Sequence, residues 1–178
     1  MSRLLALLGV LAMLAACGSE SESVSTPSKN SKLKPTSSCS AGLELRAGSS
    51  EAATGVRVQK IELVNCGAEP VVLDGYPQVK VLDESGRAVD VEVGNGSSGI
   101  ATVESFDAQP QQLTLTTEGS AVFSILWRNT YDDVSAPPVV GAGLEVVLAP
   151  GGAPLRISGL SIDLGSTGKL GLSPWGSS

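Results

Sequence analysis

Apolar residues recur at every second position along most of this chain, in short runs that each end in residues favouring turns. Leu43 and Leu45 alternate, then Val56 and Val58, Ile61 and Leu63, Val79 and Val81, and Val89, Val91 and Val93. Further on come Leu113 and Leu115, then Ala121, Phe123, Ile125 and Trp127, then Leu144, Val146 and Leu148, and finally Ile162 and Leu164. A period of two sends alternate side chains to opposite faces of a strand. Between the runs stand "DESG" at Asp83 to Gly86, "GNGSSG" at Gly94 to Gly99, "TTEG" at Thr116 to Gly119 and "APGGAP" at Ala149 to Pro154, all turn compositions. No apolar segment keeps a 3.6-residue period long enough for a core helix. The pattern predicts an all-β domain, an immunoglobulin-like sandwich whose two sheets bury their apolar faces against each other.

One stretch breaks phase. In "VRVQKIELV" the apolar positions are even at Val56 and Val58 but odd at Ile61 and Leu63. A β-bulge near Gln59 and Lys60 would return both halves to one face, and the alternative is that one end lies at an edge.

The first residues have a different character. Met1-Ser2-Arg3 carries one positive charge, and "LLALLGVLAML" from Leu4 to Leu14 is apolar but too short to span a bilayer core of about 30 Å as a helix. Residues 1–16 therefore read as a secretory signal, and Leu14-Ala15-Ala16-Cys17 looks like the lipobox of bacterial lipoproteins, in which diacylglycerol is attached to the cysteine. The competing readings are an ordinary signal with a chance cysteine and a short hydrophobic anchor. The segment that follows, "GSESESVSTPSKNSKLKPTSS", is too polar to bury a core and reads as a disordered tether over residues 17–38. As a coil it would hold residues 39–178, the predicted domain, at about 25 Å from the lipid.

Two cysteines remain, Cys39 and Cys66. In an exported chain two thiols pair, so a structural disulfide is expected, with a free or redox-active thiol as the alternative; no CxxC spacing supports the latter.

Charge and chemistry narrow the function. From Cys39 onward 16 Asp and Glu face 8 Lys and Arg, a net charge of −8, which argues against a nucleic-acid partner. The chain has no histidine, its cysteines are committed, and Met1 and Met13 leave with the signal. That removes Ser-His and Cys-His nucleophiles and the usual zinc and copper ligand sets, so neither a catalytic centre nor a cofactor or metal is expected. Ser166 to Lys169, "STGK", has the spacing of penicillin-interacting enzymes without their other motifs and reads as a turn. Asp83-Glu84 and Asp132-Asp133 are carboxylate pairs in turns, without the spacing of a calcium loop.

Aromatic residues make up 3% of the chain, so their positions matter. Trp127 shares the inward phase of its strand and should be buried. Arg128 takes the opposite phase and opens a polar loop with Tyr131. Arg128 and Tyr131 are the candidate partner-binding residues, joined by Trp175 if the C-terminal tail folds back beside them.

"ELVNCGAEPVVLDGYPQVKVLDESG", "AVFSILWRNTYDD" and "IDLGSTGKLGLSPW" resemble the secreted and lipid-anchored proteins of actinobacteria that share a domain of unknown function (DUF4232-like). The resemblance runs from about Cys39 to Trp175. It implies a sandwich-like exported domain and no known activity. Many relatives have Pro-Cys where this chain has Pro70-Val71, so their disulfide arrangement does not carry over.

The expectation is a non-catalytic lipoprotein, held at the cell membrane by a lipid on Cys17 and facing the extracytoplasmic side. Its sandwich would bind a protein or cell-envelope component. The alternative is a small-ligand carrier or sensor with a pocket between the sheets, lined by Trp127, Arg128 and Tyr131.

Overall fold

The computed structural model describes Cys39 and residues 42–178, and it is all β. The expected signal, the lipobox at Cys17 and the tether lie outside the described residues. Among the described residues eleven strands follow in order: β1 (Leu43–Ala53), β2 (Val56–Asn65), β3 (Val71–Leu73), β4 (Gln78–Leu82), β5 (Glu92–Asn95) and β6 (Leu113–Leu115). The remainder are β7 (Ser120–Arg128), β8 (Val140–Val147), β9 (Leu155–Asp163), β10 (Lys169–Leu172) and β11 (Gly176–Ser177).

The larger sheet has the order β1-β2-β7-β10-β5, with β11 also on β7. Facing it is β4-β8-β9, and β3 pairs with β6 as a separate two-stranded ribbon. With β1, β2 and β7 as strands A, B and E, and β4, β8 and β9 as C, F and G, this is the sandwich order of an immunoglobulin domain. The place of strand D beside E is modified. There β10, from near the C-terminus, lies between β7 and β5, antiparallel to the first and parallel to the second. Gly171 is required there, because a Cβ on it would come within 2.6 Å of the Gly96 carbonyl oxygen.

One core fills the space between the sheets. Leu45, Ile61, Leu63, Ala121, Phe123, Ile125 and Trp127 meet Val79, Val81, Leu144, Val146, Ile157 and Ile162, all buried. At about 25 cal/mol per Å² of apolar surface removed from water, this burial dominates the forces favouring the fold. Trp175 joins it, its ring edge-on to Phe123 at 5.1 Å between centroids.

The phase break in β2 is resolved differently from the expectation. β2 keeps an unbroken register with β7 from Val56 opposite Arg128 to Val64 opposite Ser120, so it contains no bulge. The bulge is in β1, where the register shifts between Ala47 and Ser50, and Gln59 Nε2 donates to the carbonyls of Gly48 (3.0 Å) and Ser49 (3.3 Å). Val56 and Val58 consequently face away from the main core. They pack, with Leu126 of β7, under a strap between β5 and β6 that contributes Ile100, Ala101, Val103 and Phe106. A second, small core thus covers the outer face of the sheet.

β9 begins at Leu155, well before the predicted run at Ile162, and an irregularity opposite Gly141 to Gly143 breaks its alternation. β10 and β11 had no period-two signal because they are too short to show one.

The end of β2 carries a buried polar node. Asn65 is 1% exposed, and its bonds tie the end of β2 to the β2–β3 turn, to β6 and to the β6–β7 turn. Its backbone N–H donates to Gly119 and its carbonyl accepts from Glu118 N. Its amide donates to the carbonyls of Glu69 (2.8 Å) and Leu115 (3.2 Å), while Oδ1 accepts from Gly67 N (3.0 Å). The next residue, Cys66, is bonded to Cys39, with their Cα atoms 6.5 Å apart. The expected disulfide is present, and it fixes the start of the domain to this node.

Replacing Asn65 with Ala removes three side-chain hydrogen bonds and strands buried partners, so a loss of about 3 kcal/mol is expected in urea unfolding at unchanged m-value. Reduction of the Cys39–Cys66 bond, closing a 27-residue separation, is expected to cost about 3 kcal/mol by the same measurement.

Candidate functional site

Four connections meet at one end of the sandwich: the β1–β2 turn, the strap, the β7–β8 loop and the β9–β10 turn. They converge because β7 ends there, with Arg128 opposite Val56 of β2. Asn129 N then donates to the Gly55 carbonyl at 2.9 Å, which ties the β7–β8 loop to the β1–β2 turn.

Trp127 is buried in the core, as its phase predicts. Arg128 is half-buried on the opposite face, where its Nε donates to the Ile100 carbonyl at 2.7 Å. That bond fastens the strap to β7. A second latch closes the strap on itself. Asp107 accepts from Ser97 N (2.8 Å) and from Ser97 Oγ (2.7 Å), and Ser97 Oγ accepts from Val103 N. The Ser97 hydroxyl, followed by its backbone N–H, holds the Asp107 carboxyl below the usual carboxylate range.

Tyr131 is 49% exposed and lies over Asp163, its hydroxyl 3.3 Å from each carboxylate oxygen. The same carboxylate accepts from Asn129 Nδ2 (2.6 Å) and from Gly165 N (3.0 Å). Partial burial, then the Asp163 charge and hydrogen bond, raise the Tyr131 pKa above that of a free phenol. Below the loop, Ser166 N donates to the Thr130 carbonyl, and a Cβ on Gly165 would collide with that oxygen at 1.9 Å. Asp133 N donates to Ser166 Oγ, and Asp133 Oδ1 accepts from the Ser135 backbone and hydroxyl, which lowers its pKa. The loop therefore presents Tyr131, Asp132, Asp133 and the 94%-exposed Val134 on a backbone pinned at both ends.

Trp175 does not join this surface. It is buried, and β11 beside it pairs with Val122 and Ala121, at the opposite end of β7 from Arg128. Its backbone N–H donates to the Gly75 carbonyl, and it serves as a wedge of the core. Sequence reasoning missed the strap and its latch. The available signal was Leu126, an apolar residue in the outward phase of a strand whose inward phase was already complete.

The other motifs resolve into turns. Asp83 accepts from the backbone and hydroxyl of Ser85 and from the Arg87 backbone and side chain, which lowers its pKa to about 2. Ser166 and Lys169 point to different partners, Lys169 lying 3.8 Å from Glu92 in an exposed pair. Among the described residues, no three His, Cys, Asp or Glu side chains gather as a metal site. A groove of about 1280 Å³ lies elsewhere, along the sandwich edge between β1 and β9, and its lining contains none of Trp127, Arg128 and Tyr131.

A family described as "Domain of unknown function (DUF4232)" has a sequence model that matches residues 39–176, and the chain belongs to that family. No curated protein matches the chain, and no solved structure does.

Arg128→Met is expected to lower stability by about 1–2 kcal/mol, the worth of a charge-assisted hydrogen bond, and to speed amide exchange in residues 97–107 selectively. Tyr131→Phe, removing long and exposed bonds, should change stability by less than about 0.5 kcal/mol. The strap latch predicts a pH dependence. Because the folded-state pKa of Asp107 lies below its unfolded value of about 4, its contribution is complete above that pH and is lost as pH falls through the lowered value. Asp107→Asn should remove that part of the acid-side loss in an unfolding titration; an unchanged profile would contradict the latch.

Proposed function

We propose that the chain is a non-catalytic surface module of the cell envelope, exported by residues 1–16, lipidated on Cys17 and tethered through residues 17–38 outside the cytoplasmic membrane. The partner is a protein or another envelope component, and the surface that meets it is the pinned loop around Tyr131. The observation that carries this reading is the closed apolar interior. Trp127 fills the space between the sheets, where a carrier would need a cavity, and Arg128 is turned outward to hold the strap.

A binding loop needs an exposed, ordered set of side chains on a rigid support. The segment from Tyr131 to Val134 has this form, supported by Asn129, Asp163, Gly165 and Ser166. Arg128 becomes a positioning residue in this reading, and Tyr131 the contact residue. The disulfide is in keeping with an oxidising compartment. Two acyl chains on Cys17 would give durable attachment, at about 0.8 kcal/mol per buried CH₂.

Two measurements test it. Cys17→Ser should release the protein from the membrane fraction or leave the precursor uncut, whereas normal processing with an unchanged membrane fraction would overturn the anchor. A photo-crosslinking amino acid at position 131 in living cells should give a discrete adduct, and the same group at Val72, exposed on the remote β3–β6 ribbon, should not. No adduct at 131, or equal adducts at both positions, would remove the loop as the recognition surface.

A further inference from the structure

β1 is the outermost strand of its sheet and forms one wall of the groove between β1 and β9. Asn65 turns its backbone groups to the β6–β7 turn, and Cys66 N turns to the Gly42 carbonyl, so by alternation Val64 and Glu62 face β1. Their partners Glu44 and Arg46 bond to β2. Leu43, Leu45 and Ala47 therefore turn their N–H and C=O groups to the open side, where no strand meets them among the described residues. Such an edge is a template for a further strand, and proteins blunt it with bulges, prolines or inward-pointing charges. β9, on the other wall, is interrupted between Ser158 and Ile162, where Gly159 has a positive φ. β1 shifts register only after Ala47, so residues 43–47 stay regular and unblunted.

A second copy of the chain fits this edge in one register. The regular segment, Leu43-Glu44-Leu45-Arg46-Ala47, has Leu45 at its midpoint. With an antiparallel copy placed about a two-fold axis through Leu45, Leu43 lies opposite the partner's Ala47, and Leu45 lies opposite the partner's Leu45. These residues carry the free backbone groups in both copies, so each couple exchanges two hydrogen bonds. Glu44 then faces the partner's Arg46, and Arg46 the partner's Glu44. Those couples are the non-hydrogen-bonded ones, with Cα atoms about 4.5 Å apart, where opposite charges favour pairing and like charges oppose it. An axis through Glu44 would set carboxylate on carboxylate, and one through Arg46 would set guanidinium on guanidinium. Glu44 already holds Arg46 of its own strand at 2.6 Å, and Arg46 stands opposite Glu62 of β2. The two-fold arrangement keeps both contacts and continues them as a row of alternating sign. On the inner face it brings together the groove floors, which contain Leu45, Leu82, Ile157 and Leu160. The net charge of −8 per domain opposes association at low salt, but a Debye length of about 8 Å at physiological ionic strength leaves the short-range pairs to decide.

We propose that the chain self-associates through residues 43–47 as a two-fold dimer, its larger sheets joined antiparallel at Leu45 and Glu44 of each copy set against the partner's Arg46. Residues 43–47 lie beside the Asn65 end of β2, and the Tyr131 loop lies beyond its Val56 end, so the interface stands or falls separately from that loop.

Sedimentation equilibrium of the purified protein at about 0.15 M ionic strength tests it. Wild type is expected to show a reversible monomer–dimer equilibrium. Glu44→Arg leaves two arginines on the edge and Arg46→Glu two glutamates, so each variant alone should raise the dissociation constant about tenfold. An equal mixture of the two variants should restore association, because every couple across the axis is again of opposite sign. Both intrachain pairs stay like-charged in that mixture, so the rescue can come only from contacts between copies. In wild type, amide exchange at Leu43, Leu45 and Ala47 should slow as concentration rises. Wild type that stays monomeric to millimolar concentration would overturn the proposal. Variants that each associate as tightly as wild type, or a mixture no tighter than either variant alone, would overturn it too. Exchange that slows elsewhere but not at those three amides would place the interface on another surface and equally overturn it.

Discussion

Everything in this sandwich is arranged to cover β7 on both faces and both edges. Inward, Phe123, Ile125 and Trp127 build the core against the facing sheet; outward, Leu126 must also leave water, and it is fully buried. β2 pairs along one edge without a break. The other edge is shared by β10 and β11, and the gap between them is bridged by Ser173, whose hydroxyl accepts from Ser124 N while its own N–H donates to the Ser124 carbonyl. A central strand with an apolar residue on each face cannot lie in a two-layer sandwich unless something covers the outer side. The strap is that cover.

This requirement shapes the candidate site. Long segments without strands are uncommon in compact domains. Here residues 96–112 form one, and its first part is held by the Ile100 and Phe106 side chains, the Ser97–Asp107 latch and the Arg128 bond. Arg128 looks from sequence like a recognition residue because it follows a buried tryptophan and opens a polar loop. Its chemistry is instead used within the domain, and the exposed role falls to Tyr131 and the residues after it. The loop gains rigidity from the same end of β7 that anchors the strap.

The strands of the core were readable because their inward residues alternate over several positions, and alternation is a direct consequence of pleat geometry. The burial of Trp127 and the pairing of Cys39 with Cys66 followed from equally local facts. The strap was not readable, since its apolar residues, Ile100, Val103 and Phe106, follow no period and acquire a face only where β2 and β7 meet. The phase break at Val58 was visible, but its cause lay in a segment about 40 residues away. Trp175 was misplaced for a similar reason: its position depends on β10 inserting between β7 and β5, a long-range choice with a signal of only four residues. Asn65 reads as a turn residue, and its five hydrogen bonds come from elements that converge only in the folded state.

A closed core is the claim on which the functional reading turns, and both tryptophans report on it. Trp127 and Trp175 are each 3% exposed, one near either end of β7, and neither indole N–H meets an acceptor among the described residues. Their emission should therefore be blue-shifted. Titrating the native protein with a graded series of small apolar ligands, from indole to medium-chain fatty acids, tests whether the space between the sheets is available. The account predicts no saturable change in tryptophan emission and no rise in melting temperature at any ligand size. A saturable shift in emission accompanied by thermal stabilisation would show a ligand-accepting interior and contradict it.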